Sequence, residues 1–94
     1  MSQGTEVRTF EKEAVPLIRS GLSMKKAALE LSLQRYEERL RHFERMHGMD
    51  SATFADRFDR GELGDDADWF EWEYHLDACH QARKQLEILG KIDL

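Results

Sequence analysis

Apolar residues in this chain recur at steps of three and four rather than two. Leu22, Leu29, Leu33, Tyr36, Leu40, Phe43 and His47 lie on one such seam, with a single missed step at Lys26. That spacing returns a side chain to the same face of a helix, so residues 23–47 are predicted to form one amphipathic helix of about 25 residues, roughly 37 Å long. Ser23 offers a hydroxyl to cap its start, and Gly48 offers the left-handed backbone that ends it. On the outer face, Glu37 and Arg41 attract at i,i+4 while Arg41 and Arg45 repel, the mark of a solvated surface.

A second, short helix follows, capped by Asp50 or Ser51. Phe54 and Phe58 stand one turn apart on it, Gly61 closes it, and Leu63 is placed to fold back as the apolar contact of a glycine-type stop. Gly64 supplies a further bend, and Asp65 or Asp66 caps a third helix over 67–89. Asp65, Asp66 and Asp68 gather near that N-terminus, where the helix dipole favours negative charge. Its stripe is Trp69, Trp72, Leu76, Cys79, Leu86 and Leu89, interrupted at Arg83 beside Ala82, and Phe70 and Tyr74 make a second apolar face. Gly90 is expected to terminate it.

The first 22 residues are the least periodic. Val7 and Phe10 precede a possible turn of helix before Pro16, which disfavours the α region at Val15. Leu17, Ile18 and Leu22 fit either a short helix or an extended arm, and Ser20-Gly21 reads as a break. The expected organisation is an N-terminal arm over 1–22, one helical domain over 23–90 and a tail over 91–94. The expected fold is all-α: an antiparallel hairpin of two long helices joined by a short one. Two long helices make a thin core, so a homodimer forming a helical bundle is expected to cover the remaining apolar face.

Composition agrees with helices. Charged residues make up 35% and apolar residues 40% of the 94 positions, and there is one proline. The mean hydropathy is -0.70, yet the apolar content is too high for disorder. Net charge is -5 and unevenly spread: residues 50–77 hold ten Asp/Glu against two Lys/Arg, while residues 1–49 hold nine Lys/Arg against seven Asp/Glu. An acidic middle suits a basic partner better than a phosphate backbone, so nucleic acid is a poor fit. Cys79 is the one cysteine. With no secretory leader and no bilayer-length apolar run, a cytoplasmic protein is the default expectation, and no membrane role is expected.

Three kinds of chemistry are tested against the residues. Zinc requires three or four converging N/S ligands; His75, Cys79 and His80 are close in sequence, but His42 lies off the seam and the single thiol fits a buried hydrophobe. Paired carboxylates for acid–base work need contrasting environments, whereas Glu62, Asp65, Asp66, Asp68, Glu71, Glu73 and Asp77 read as caps and solvated charge, with Glu71 and His75 able to pair. Gly61-Glu62-Leu63-Gly64 lacks the Lys and Ser/Thr of a phosphate loop. The chain is therefore expected to be no enzyme, with no catalytic residues, no metal and no cofactor. A DNA-binding helix-turn-helix over 17–36 is the competing reading: Gly21 to Ala28 resembles its opening, but Leu29 to Leu33 lacks the glycine turn and the seam runs on through Tyr36.

The most unusual stretch is Asp68-Trp69-Phe70-Glu71-Trp72-Glu73-Tyr74. Its four aromatics cannot all face one core, because neighbours on a helix point about 100° apart. Some must meet the short helix, a second subunit or a partner. Aromatics ringed by acid suit a binding surface for a basic protein. The candidate partner-binding residues are Phe54, Phe58, Glu62, Asp65, Asp66, Trp69, Phe70, Trp72 and Tyr74. Against this stands a purely structural homodimer, in which the aromatics only lock the helices together.

The run His47-Gly48-Met49-Asp50-Ser51, with Phe54, Arg57-Phe58 and Gly61-Glu62-Leu63-Gly64-Asp65-Asp66-Ala67-Asp68-Trp69-Phe70-Glu71-Trp72, resembles a set of short uncharacterised archaeal and bacterial helical proteins. Their shared pattern is a charged helix, a Gly-Met step, a phenylalanine-bearing short helix and a GELGDDxDWFEW motif. The resemblance covers roughly residues 25–90; its motif positions Phe58, Gly61, Asp65, Asp66, Trp69, Phe70 and Trp72 are all present. These proteins are similar in size and context to the antitoxins of small toxin–antitoxin pairs. The resemblance implies a non-enzymatic binding protein that neutralises a small partner protein; the acidic middle of the chain adds the expectation that this partner, a small toxin, is basic.

Overall fold

The computed structural model describes the backbone of residues 2–93 and the side chains of residues 9–93; the Val7 side chain and Leu94 of the tail lie outside the described residues. The described residues form three helices and no strand: α1 (Ser2–His47), α2 (Ser51–Asp59) and α3 (Ala67–Gly90). α1 and α3 pack antiparallel. His47 meets Asp68 near the closed end, Phe43 stacks near Trp72, and Glu37 pairs with Arg83 further along.

The three-and-four seam is the one that is buried. On α1, Leu29, Leu40 and Phe43 are buried, with Leu22, Leu33, Tyr36 and His47 half-buried. Facing them on α3 are buried Trp72, Cys79 and Ala82 and half-buried Trp69, Leu76, Leu86 and Leu89. The core proper is small: Leu40, Phe43, Phe54, Trp72 and Cys79, with Met49, Phe58 and Leu63 packed against it from the connecting segments. Two ion pairs lace the seam from outside, Arg39 to Glu71 at 2.7 Å and Arg83 to Glu37 at 3.2 Å. Both are solvent-exposed, so each contributes at most about 1 kcal/mol.

The turns follow their local chemistry. Gly48 ends α1 with φ +65, a conformation closed to most side chains. Asp50, not Ser51, caps α2: its Oδ1 accepts from the Thr53 amide at 2.7 Å. Gly61, at φ +68, ends α2. There the Glu62 amide donates to the Arg57 carbonyl and the Gly61 amide to the Phe58 carbonyl, both at 3.0 Å, which satisfies the last carbonyls of the helix. Leu63 then packs on the core. Asp66 caps α3, accepting from the Asp68 amide at 2.9 Å. Gly90 does not act as a left-handed stop: it is the last helical residue, and α3 ends at Lys91 with φ -92.

The largest departure from expectation is at the N-terminus. α1 is continuous from Ser2 to His47, so residues 2–22 of the described backbone are helical rather than extended, with no break at Ser20-Gly21 and no helix start at Ser23. Pro16 lies inside the helix. It removes the donor that the Lys12 carbonyl would receive and crowds that carbonyl. Both residues are exposed, so water can take the vacated lone pair. The flanks, Ala14 on one side and Met24-Lys25-Lys26-Ala27-Ala28-Leu29-Glu30 on the other, are strong helix formers, and no other element competes for this segment.

The result is a rod. The radius of gyration is 20.5 Å, against about 12 Å for a compact domain of this length. Its 69 Å long axis is what the 46 residues of α1 span at about 1.5 Å each. α3 ends beside Leu22, where Arg19, Leu22, Ser23 and Lys26 face Leu89, Ile92 and Asp93. The described part of α1 ahead of that point projects past the hairpin.

This arrangement divides the aromatics by role. Trp72→Ala removes a fully buried side chain and is expected to cost about 3–5 kcal/mol. Phe70→Ala and Tyr74→Ala remove exposed side chains and should stay within about 0.5 kcal/mol of the parent. Urea unfolding followed by circular dichroism measures both; equal losses would show that the outer aromatics are structural.

Candidate partner-binding surface

The three helices meet in a head built on Trp72. Its indole lies between two phenyl rings, Phe54 of α2 at 4.1 Å and 3° and Phe43 of α1 at 5.7 Å and 14°. Its Nε1 donates to Ser51 Oγ at 3.0 Å, and the Ser51 amide donates to Glu44 Oε2 at 2.8 Å. The buried indole N–H therefore has a partner, as burial requires. Trp69 packs on His47 at 4.5 Å between centroids, and His47 Nε2 sits 3.1 Å from Asp68 Oδ2. Phe54 thus meets Trp69 and Trp72 rather than the outer aromatics, while Phe58 meets Phe70 edge-on at 5.8 Å.

The candidate residues separate into three groups. Phe54 and Trp72 are both 0% exposed, so in this conformation they hold the head together and offer nothing to a partner. Phe58 and Trp69 are half-buried at its rim. Phe70 and Tyr74 are 57% and 62% exposed; they point to the side of α3 away from α1, because they lie about half a turn around the helix from Trp72 and Cys79.

The acids around them differ in what they already do. Glu62 pairs with Arg57 and Arg60, and Asp56 pairs with Arg60. Asp66 is occupied as a cap, Asp68 by His47 and Glu71 by Arg39. Asp59, Asp65, Glu73 and Asp77 enter none of the ion pairs among the described residues. Glu73 and Asp77 flank Phe70 and Tyr74 at helical steps of three and belong to the same surface. Neither is among the candidate residues that the sequence points to, although their spacing is visible in it. Two exposed rings among uncompensated carboxylates can bind a cationic surface, with the rings contributing apolar area and cation–π contact and the carboxylates contributing charge.

Two side chains in and near the head have altered acidities. Burial pushes the Cys79 thiol up, opposed by the nearby Arg83 cation, which leaves the sulfur protonated and unreactive. Hydrogen bonds from Thr53 hold the Asp50 carboxyl below its usual range. No group of three or more His, Cys, Asp or Glu side chains among the described residues is placed to hold a metal ion. No described helix is long and apolar enough to cross a membrane. Residues 17–36 lie within α1 without a turn, so they are not divided into the two helices of a helix-turn-helix. Comparison of the chain with protein-family models, with curated proteins and with solved structures finds no match.

Two outcomes follow from these environments. Cys79 is fully buried, so it should resist a thiol reagent in native buffer and react at once in denaturant; rapid native labelling would contradict the packing of the seam. Asp50 has a folded-state pKa below its unfolded value, so its contribution is present above about pH 3.8 and is lost as pH falls through the lower folded value. Asp50→Asn keeps a capping oxygen without the charge. The stability gap between parent and variant should therefore shrink as pH drops below that range, read from thermal melts.

Proposed function

We propose that this chain is a non-enzymatic, cytoplasmic protein–protein interaction module. In this reading it is antitoxin-like and works as a homodimer. It captures and neutralises a small basic protein through the outer face of its head. The observation that carries the reading is the pair Phe70 and Tyr74, exposed on the side of α3 away from the hairpin, beside Glu73 and Asp77, which no basic side chain among the described residues compensates. Phe58 backs Phe70 from the rim, with Trp69 half-buried beside it, and Asp65 and Asp66 extend the negative field toward the α2–α3 turn, where Glu62 is already neutralised by Arg57 and Arg60. Such an array steers a cationic partner from a distance and then buries aromatic area at close range. The run from Gly61 to Trp72 and its resemblance to short antitoxin-like proteins point the same way. The head is well built for presentation: α2 and α3 are locked by the Trp72 stack, so the outer rings are displayed at little further ordering cost.

The test is a pull-down with the product of the adjacent gene, repeated with variants that spare the fold. Phe70→Ala with Tyr74→Ala should weaken capture by roughly several hundredfold, since buried aromatic anchors are worth about 2 kcal/mol or more each. Glu73→Lys with Asp77→Lys should weaken it further and remove most of its salt dependence. Failure to form a complex at micromolar concentration, or capture indifferent to all four substitutions, would rule the proposal out.

A further inference from the structure

α1 carries a second seam that the hairpin leaves uncovered. Large side chains at Phe10, Leu17, Met24 and Leu31 alternate with small ones at Ala14, Gly21 and Ala28, at steps of four and three throughout. That is a heptad pattern sustained for three repeats. It lies about 110° around the helix from the seam that holds α3, so α3 does not reach it. Phe10, Leu17 and Met24 are 70, 74 and 72% exposed. A Cβ added at Gly21 would meet nothing within 4 Å, and its φ is not in the left-handed region. Within one chain, then, nothing calls for glycine here, although it is the least favourable residue for a helix interior after proline.

We infer that a second copy of this chain docks antiparallel along this seam. Area, shape and charge each point to that occupant. The chain exposes 7176 Å², against roughly 5,700 Å² for a compact monomer of its 11.1 kDa mass. The excess exceeds the roughly 800 Å² per partner that a stable interface covers. In an antiparallel pair each layer joins the two unlike heptad positions, which sets small against large. Phe10 meets Ala28 of the second copy, Ala14 meets Met24, and Leu17 meets Gly21. A parallel pair would instead oppose Gly21 to Gly21 and Met24 to Met24, leaving gaps beside crowded layers. The antiparallel register also places Glu11 beside Lys25 of the second copy, twice per dimer, with Ile18 against Ile18 between them. Neither Glu11 nor Lys25 forms an ion pair within the chain among the described residues. The overlap is centred near Arg19, and α3 begins to cover α1 only from about Leu22 onward. The two hairpins therefore lie at opposite ends of the shared rod and do not collide, and their heads face outward.

This inference rests on the homodimer part of the proposed function and not on the basic partner. Analytical ultracentrifugation of the full chain at micromolar concentration tests it. The parent should sediment as a dimer. Gly21→Leu, whose Cβ finds open space within 4 Å, should halve the mass while helical content by circular dichroism holds or rises. Glu11→Lys and Lys25→Glu should each raise the dissociation constant by roughly tenfold, and the two together should restore it. A monomeric parent would overturn both the inference and the homodimer. A dimer that survives Gly21→Leu, or a double charge reversal that restores nothing, would overturn this seam and its register alone.

Discussion

The indole of Trp72 touches all three helices. It stacks between Phe43 of α1 and Phe54 of α2 while its own backbone belongs to α3, and its N–H is taken by Ser51 at the first position of α2. A two-helix hairpin has no closed core of its own. This stack converts the short connection between the long helices into a third wall. The remaining head contacts build outward from it: Trp69 and His47 on one side, Phe58 and Leu63 on another. The hydrogen-bond chain from Glu44 through the Ser51 amide and hydroxyl to the indole ties the stack to the end of α1. The aromatic packing and the turn geometry are therefore joined in one hydrogen-bonded unit.

From that head the hairpin thins along its length. The buried cluster reaches Cys79 and Leu40, and beyond it the contact is carried by Leu29, Ala82 and half-buried leucines. α1 then continues past the end of α3 as a lone helix. Most helical stability in proteins comes from packing of an amphipathic face rather than from propensity, so this segment gains most from a covering surface. The second heptad seam, with its small residues turned to solvent, has the form such a cover would fit. The molecule has two ends of different character: an aromatic head in which three helices meet, and an α1 extension that α3 does not cover.

Charge follows the same division. Seven Lys/Arg–carboxylate ion pairs and the His47–Asp68 contact are formed among the described residues, and most tie an acid of the acidic middle to a neighbouring base or span the α1–α3 seam. The acids left over include those beside Phe70 and Tyr74. Local compensation along the seam and its lack on the outer face of α3 separate surface that holds the fold from surface open to a partner.

Periodicity determined the element types and the buried faces of α1 and α3, and residue type determined the turns at Gly48 and Gly61; the α3 cap was open between Asp65 and Asp66 until the structure placed it at Asp66. Those features depend on residues within a turn or two of one another. Pro16 and Gly21 misled for the same reason: a local rule describes the cost of a breaker, but not the absence of any competing structure for the segment around it. The aromatic stretch shows the other limit. Spacing placed Trp69 and Trp72 on one face and Phe70 and Tyr74 on another, yet it could not tell which rings would be enclosed. Phe54 and Trp72 became interior only because α2 folds back over α3 through a turn that brings residues about 20 positions apart into contact. That enclosure is a property of three helices meeting, and only the tertiary structure decided it.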